Sequence, residues 1–172
     1  IWIVSARHMK NVPGRKTDKK DSEWICQLLM AGLLKPSFIP PREQRELRDL
    51  TRYRRKLIQM VSANKNRIIR TLEDGNVKLS SVLSDTSGTT GTKLIEMLCD
   101  GKELTLQDIE DVRHKRCRHT AEEMLDACTG YMNDHKRYML QRIRGCHPKL
   151  NEDIAELDLR IKAILALFSE VI

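Results

Sequence analysis

Asp18 and Asp21 stand three positions apart in the stretch GRKTDKKDSEWICQLL, and on a helix that spacing puts two carboxylates on one face. Carboxylates so placed can cap a helix by accepting from its unpaired N–H groups, or they can form half of a metal site. The helix that must carry them reads from Thr17 or Asp18 to about Leu34, after the Pro-Gly turn of NVPGRK. Its apolar stripe is Trp24, Ile25, Leu28 and Leu29, and Asp21 falls on that stripe, one turn before Trp24 and Ile25. A carboxylate that only caps would face water, so this placement shifts weight towards a functional site.

Ahead of that helix the chain opens IWIVSARHMK, an apolar, β-branched run. Such a run reads as a strand that wants neighbours on both sides, as a buried parallel strand does. The expectation is a piece of a longer protein whose other strands lie upstream. An apolar pattern that persists to Ile172 gives the same expectation for the other end.

Composition predicts what surrounds these elements. Aromatic residues are 4% of the 172 and charged residues 32%, which favours long helices with narrow apolar seams, and an elongated shape, over a wide core. Lys and Arg number 31 against 24 Asp and Glu, a net charge of +7. That balance favours a polyanionic partner, nucleic acid first, with a merely solvated basic surface as the alternative. The five cysteines have no Cys-x-x-Cys pair and read as reduced thiols of a cytosolic protein. His114, Cys117 and His119 lack the second ligand pair of a zinc site. There is no signal peptide, no apolar run long enough to span a membrane and no Gly-x-x-x-x-Gly-Lys phosphate loop, and the glycines are spaced as turn punctuation.

The prolines of KPSFIPP divide the chain into residues 1–36 and a helical region, 37–172. Within that region the pattern predicts a long helix 41–74, short helices over 77–130 and a second long helix 131–172. Leu47, Leu50, Leu57, Val61 and Ile68 form the first seam, interrupted by Arg54 and Asn64. The second seam is Leu140, Ile143, Leu150, Ile154, Leu157, Ile161, Ile164 and Phe168, with His147 as a polar insert and Pro148 as a kink. Thr105 and the Thr120–Glu123 pair are N-terminal caps of short helices, and Gly101 and Gly130 are stops. The first long helix also carries Arg45, Arg48, Arg52, Arg55, Lys56, Lys65, Arg67 and Arg70 outside its seam, which suits phosphate contact more than base stacking. The two seams can fold back on one another as an antiparallel pair or join a second copy in a dimer, and the sequence does not rank these.

NVPGRKTDKKDSEWICQLLMAGLL, with PSFIPPREQRELRDLTRYRRKLI and the later ELDLRI, resembles the bacterial insertion-sequence transposases of the DEDD type, the IS110 group with its DNA-invertase relatives. The resemblance implies a RuvC-like nuclease domain of the ribonuclease H fold in which four acidic residues hold magnesium. Its KTDxxD motif matches Asp18 and Asp21, which it makes the catalytic and metal-binding pair. It further implies a coiled-coil region, a later domain with a serine nucleophile, a structured guide RNA, DNA as substrate, and a bacterial cytoplasmic, nucleoid-associated setting. Ser5 and Ser22 stand where asparagine and alanine are expected. The tetrad's other two acids would lie upstream of Ile1 and the serine domain downstream of Ile172, so the chain alone is expected to be inactive. The fold expected is mainly α: coiled-coil-like long helices with a short helical insert, preceded by one strand and one helix of the nuclease domain. The nucleic-acid contacts expected are Lys16, Arg45, Arg48, Arg52, Arg55 and Lys56, with no membrane partner. The alternative is a non-enzymatic helical scaffold for dimerisation or nucleic-acid binding.

Overall fold

The computed structural model describes residues 2–5 and 18–169, with side chains over 22–168 in the second stretch. Eight helices are present among them: α1 (Asp18–Met30), α2 (Arg42–Glu73), α3 (Leu79–Val82), α4 (Thr89–Cys99), α5 (Leu106–Val112), α6 (Ala121–Cys128), α7 (Asp134–Gly145) and α8 (His147–Ser169). The chain is mainly helical, as its composition predicts. It divides into two compact units, Ile1–Glu46 and Leu47–Ile172.

In the first unit, α1 stops four residues short of the expected end at Leu34. Gly32 takes a left-handed φ of 70°, and the amides of Gly32 and Leu33 turn back to the carbonyls of Leu29 and Leu28. That pair of bonds is a glycine-terminated helix end. Leu28 and Leu34 are buried, while Leu29 and Met30 are exposed. The expected parallel strand at the start is not what the described residues show. Val4 instead makes one isolated antiparallel bridge with Pro36, supported by the Ser37 amide donating to the Ile3 carbonyl at 2.7 Å. A proline has no N–H to extend such a ladder, and Trp2 and Ile3 are more than half exposed. Residue 1 and residues 6–17, which include Thr17 as a possible cap, lie outside the described residues.

The second unit is built on the two long helices. From α2, Leu57, Asn64, Ile68 and Leu72 are buried. Asn64 is tolerated there because its Oδ1 accepts from Arg67 Nη1 at 2.8 Å. The helix ends as Asn76 adopts a φ of 59° and the Asn76 and Val77 amides return to Glu73 and Leu72. Beyond it, α3 to α7 gather Leu79, Leu94, Ile95, Ile109, Met124 and Leu140 around Ile68, Leu72 and Val77. Gly75 and Gly130 permit a close backbone approach in this core, since a Cβ on Gly130 would meet the Gly75 carbonyl at 2.3 Å. The Tyr131 amide donates to that carbonyl at 2.7 Å.

The caps read from sequence are present. Thr105 and Thr120 each accept from the amide three residues on, and the Asp108 and Glu123 carboxylates accept from the cap amides. Gly101 ends its helix with a φ of 75°. Not every glycine marks a turn, however: Gly91 lies inside α4, against the Thr86 carbonyl. The predicted helix 131–172 is two helices, with the interruption at Cys146 and not at Pro148. Cys146 keeps a helical backbone, φ −79° and ψ −20°, while Pro148 falls in the first turn of α8, where a missing N–H costs nothing.

Candidate functional site

Asp18 and Asp21 occupy the first turn of α1, so the helical backbone alone places both Cβ atoms on one face. Their side chains lie outside the described set. Two carboxylates supply hard oxygen donors of the kind magnesium prefers, but an octahedral ion, or a pair of ions, needs further ligands. No group of three or more His, Cys, Asp or Glu able to hold a metal occurs among the described residues. By the chemistry of its donors the pair can supply part of such a ligand set and not the whole of it. Lys16 lies outside the described residues.

Most basic residues of α2 occupy the side away from its seam, but Lys65, expected there too, is half-buried and lines a cavity with His147 of α8. Arg48, Arg52, Arg55 and Lys56 are all exposed, spaced three or four apart in the way that lines up one helix face. None of their side chains has an ion pair among the described residues. Asp49, Arg52, Tyr53, Arg55, Lys56 and Gln59 together line a shallow hollow, with Tyr53 its one aromatic ring. Arg45 is exposed too, within the first unit. Unpaired guanidinium groups on a rigid helix are suited to phosphate oxygens, which they can grip with two donors at once.

Arg54 does the opposite of its neighbours. It lies on the seam and forms a two-pronged bond with Asp158 of α8, Nη2 donating to Oδ2 at 3.1 Å and Nε to Oδ1. The hydrogen bond holds the Asp158 carboxyl below its ordinary range. Eleven residues further along α2, Lys65 shares a cavity with His147, which is eleven residues back from Asp158. The long helices thus run antiparallel within one chain. Of the second seam, Leu140, Leu150 and Ile164 are buried, while Ile143, Ile154, Leu157, Ile161 and Phe168 are half-buried. Leu159, Leu165 and Leu167 remain exposed outside it.

Two features were not legible as sites in the sequence. From the run RHKRCRH, 113–119, all but Arg113 and Lys115 line a surface cavity with α3 and the start of α4; the charge is plain in the sequence, but the spacing matches no motif. His147 is more than an inert insert, because its buried Nε2 has no hydrogen-bond partner among the described residues. Burial, and then Lys65 and Arg144, push its pKa below the ordinary value.

Comparison with known proteins gives one finding. Residues 1–76 match the family model of the DEDD-type IS110 transposases, described as Transposase. The matched stretch includes α1 with its aspartate pair and runs to the turn that closes α2. No curated protein and no solved structure gives a significant match.

Proposed function

We propose that this chain, which carries over residues 1–76 the match to the IS110 transposases, serves magnesium-dependent, site-specific movement of an insertion sequence. The observation that carries this reading is the coincidence of that match with Asp18 and Asp21 in the first turn of α1. Asp18 and Asp21 are the metal ligands contributed here, and carboxylates from elsewhere in a parent protein complete the set. Magnesium, when bound, supplies Lewis-acid stabilisation of phosphoryl transfer. The two aspartates orient it, and the chain by itself does not catalyse.

The helical unit serves nucleic acid and assembly. The exposed cations Arg48, Arg52, Arg55 and Lys56 contact the phosphates of DNA or of a structured guide RNA. The half-buried seam of α8, from Ile154 to Ile161, recruits a second copy. This reading puts the protein in the bacterial cytoplasm at the nucleoid, and no helix among the described residues is long and apolar enough to cross a membrane. A second reading makes the chain a helical scaffold without catalysis, since the first turn of α1 is also where a carboxylate caps a helix.

Recombination in cells separates the two. Asp18→Asn or Asp21→Asn in the parent keeps an acceptor for capping but binds a hard cation poorly. Each substitution abolishes movement of the element if the pair holds magnesium. Wild-type frequency in both variants leaves only the scaffold.

A further inference from the structure

We propose that the loop 113–119 and the wall it faces hold a second stretch of nucleic-acid backbone, separate from the outer face of α2. In sequence the loop is RHKRCRH, three arginines, one lysine and two histidines in seven residues. So dense a set of cations repels itself unless the loop is pinned and the charge is met. The pinning is visible. Arg113 Nε donates to the His119 carbonyl at 2.8 Å and its Nη2 to the Cys117 carbonyl at 3.1 Å. The Arg116 amide donates to His114 Nδ1 at 3.2 Å, and His119 Nδ1 lies 3.0 Å from Glu123 Oε2.

The charge is not met. Lys115, Arg116 and Arg118 are exposed and have no ion pair among the described residues. Arg116 and Arg118 line an open cavity of about 680 Å³ with His114, Ser84 and Thr89. The hydroxyls of Ser84 and Thr89 have no partner among the described residues. Asp85 is the one carboxylate in the described lining, and its Oδ1 is engaged by the Ser87 amide at 2.8 Å. Two fork-shaped guanidinium groups beside two free hydroxyls are donors for phosphate oxygens. No Phe, Tyr or Trp lines the cavity among the described residues, and with cations and hydroxyls as its main polar groups the lining suits contact to the backbone more than a stacking platform. A pinned loop presents those donors with its backbone already ordered, which lowers the cost of binding. The cavity is open to solvent, which suits a strand passing over it better than an enclosed free anion.

This inference rests on the nucleic-acid reading above, and the test keeps the two apart. Binding of a fluorescein-labelled DNA duplex and of a labelled single-stranded RNA is followed by anisotropy over a range of salt. The full chain is compared with Arg116→Ala/Arg118→Ala and with Arg48→Ala/Arg52→Ala/Arg55→Ala, with helicity checked by circular dichroism. Arg113 is left intact so that the loop stays pinned. Loss of two phosphate contacts lowers the log–log salt slope by about 1.8 for duplex and about 1.4 for single strand. That drop in the loop variant, on either probe, is the expected result. An unchanged slope in the loop variant, with a fall in the α2 variant, overturns this inference and leaves the α2 face standing. A fall in the loop variant alone upholds the inference and removes the α2 face. No binding by the wild type ends both. Inorganic phosphate is the last arm: if the wild type retains phosphate and the Arg116→Ala/Arg118→Ala variant does not, while the salt slope of strand binding is the same in both, the cavity is a free-phosphate site and the proposal fails.

Discussion

Arg54 and Asp158 are joined across 104 positions of sequence by a fork-to-carboxylate bond, and each is the other's means of standing beside an apolar seam. The bond raises the guanidinium pKa and lowers that of the carboxyl, the hydrogen bond being the larger cause for each. Apolar seams slide easily by one heptad, whereas a polar pair has only one register that satisfies it. Arg54 and Asp158 thus act as the register mark of the α2–α8 hairpin.

Charge exchange tests that role. Arg54→Asp and Asp158→Arg each lower the thermal midpoint of the chain, and the double exchange recovers most of the loss, giving a clear coupling term in a double-mutant cycle. Simple additivity of the two single changes would mean that the pair does not set register.

Gly91→Ala sets two effects against each other within α4. Helix propensity favours alanine by about 1 kcal/mol, yet the new methyl group would meet the Thr86 carbonyl oxygen at 2.2 Å. The group it strikes is backbone, so it yields little, and the variant is less stable in urea unfolding despite its better helix former. A gain in stability would show that the turn ahead of α4 gives way freely.

Those two positions mark how far the sequence could be read. The seams, the Thr105 and Thr120 caps and the basic side of α2 follow from local periodicity and local hydrogen bonds, which a single sequence carries. Arg54 and Gly91 were read as a blemish and a punctuation mark because their reasons are partners: one 104 residues distant, the other a backbone carbonyl of the preceding turn. The opening run was read as a strand from its β-branched content alone, but pairing depends on the neighbour, and at Val4 that neighbour is a proline. Of the candidate site, the aspartate spacing and the arginine stripe were legible. The pinned loop 113–119 was not, because Arg113 closes it through backbone carbonyls that no motif announces.

His147 makes stability depend on pH near neutrality. Its folded pKa lies below the ordinary 6.5, from burial first and then from Lys65 of α2 and Arg144 of α7. The unfolded chain therefore takes up the proton first as pH falls. Stability is full above about 6.5 and declines as pH drops below it towards the folded value. Thermal unfolding followed from neutral to mildly acidic pH shows this fall in the wild type, and His147→Gln flattens it. Equal slopes in both proteins would remove His147 as the cause.

The half-buried part of the α8 seam predicts self-association. Burying an aliphatic side chain fully is worth about 1.5–3 kcal/mol, and Ile154, Leu157 and Ile161 realise only part of that in one chain. Light scattering coupled to size exclusion gives a dimer for the wild type, and Leu157→Asp or Ile161→Asp gives monomer or aggregate, because a buried charge is left unpaired. A wild-type monomer across micromolar concentrations with full helicity would show that the hairpin alone suffices.

The most direct measurement of the central claim is strand cleavage by the purified parent protein as magnesium is titrated, wild type beside Asp18→Asn and Asp21→Asn. The account predicts that wild-type cleavage rises with magnesium and vanishes on chelation. It predicts that both variants stay inactive at every concentration while keeping the helix content of the wild type. Cleavage that persists without a divalent ion, or that both variants perform at the wild-type rate, would contradict it.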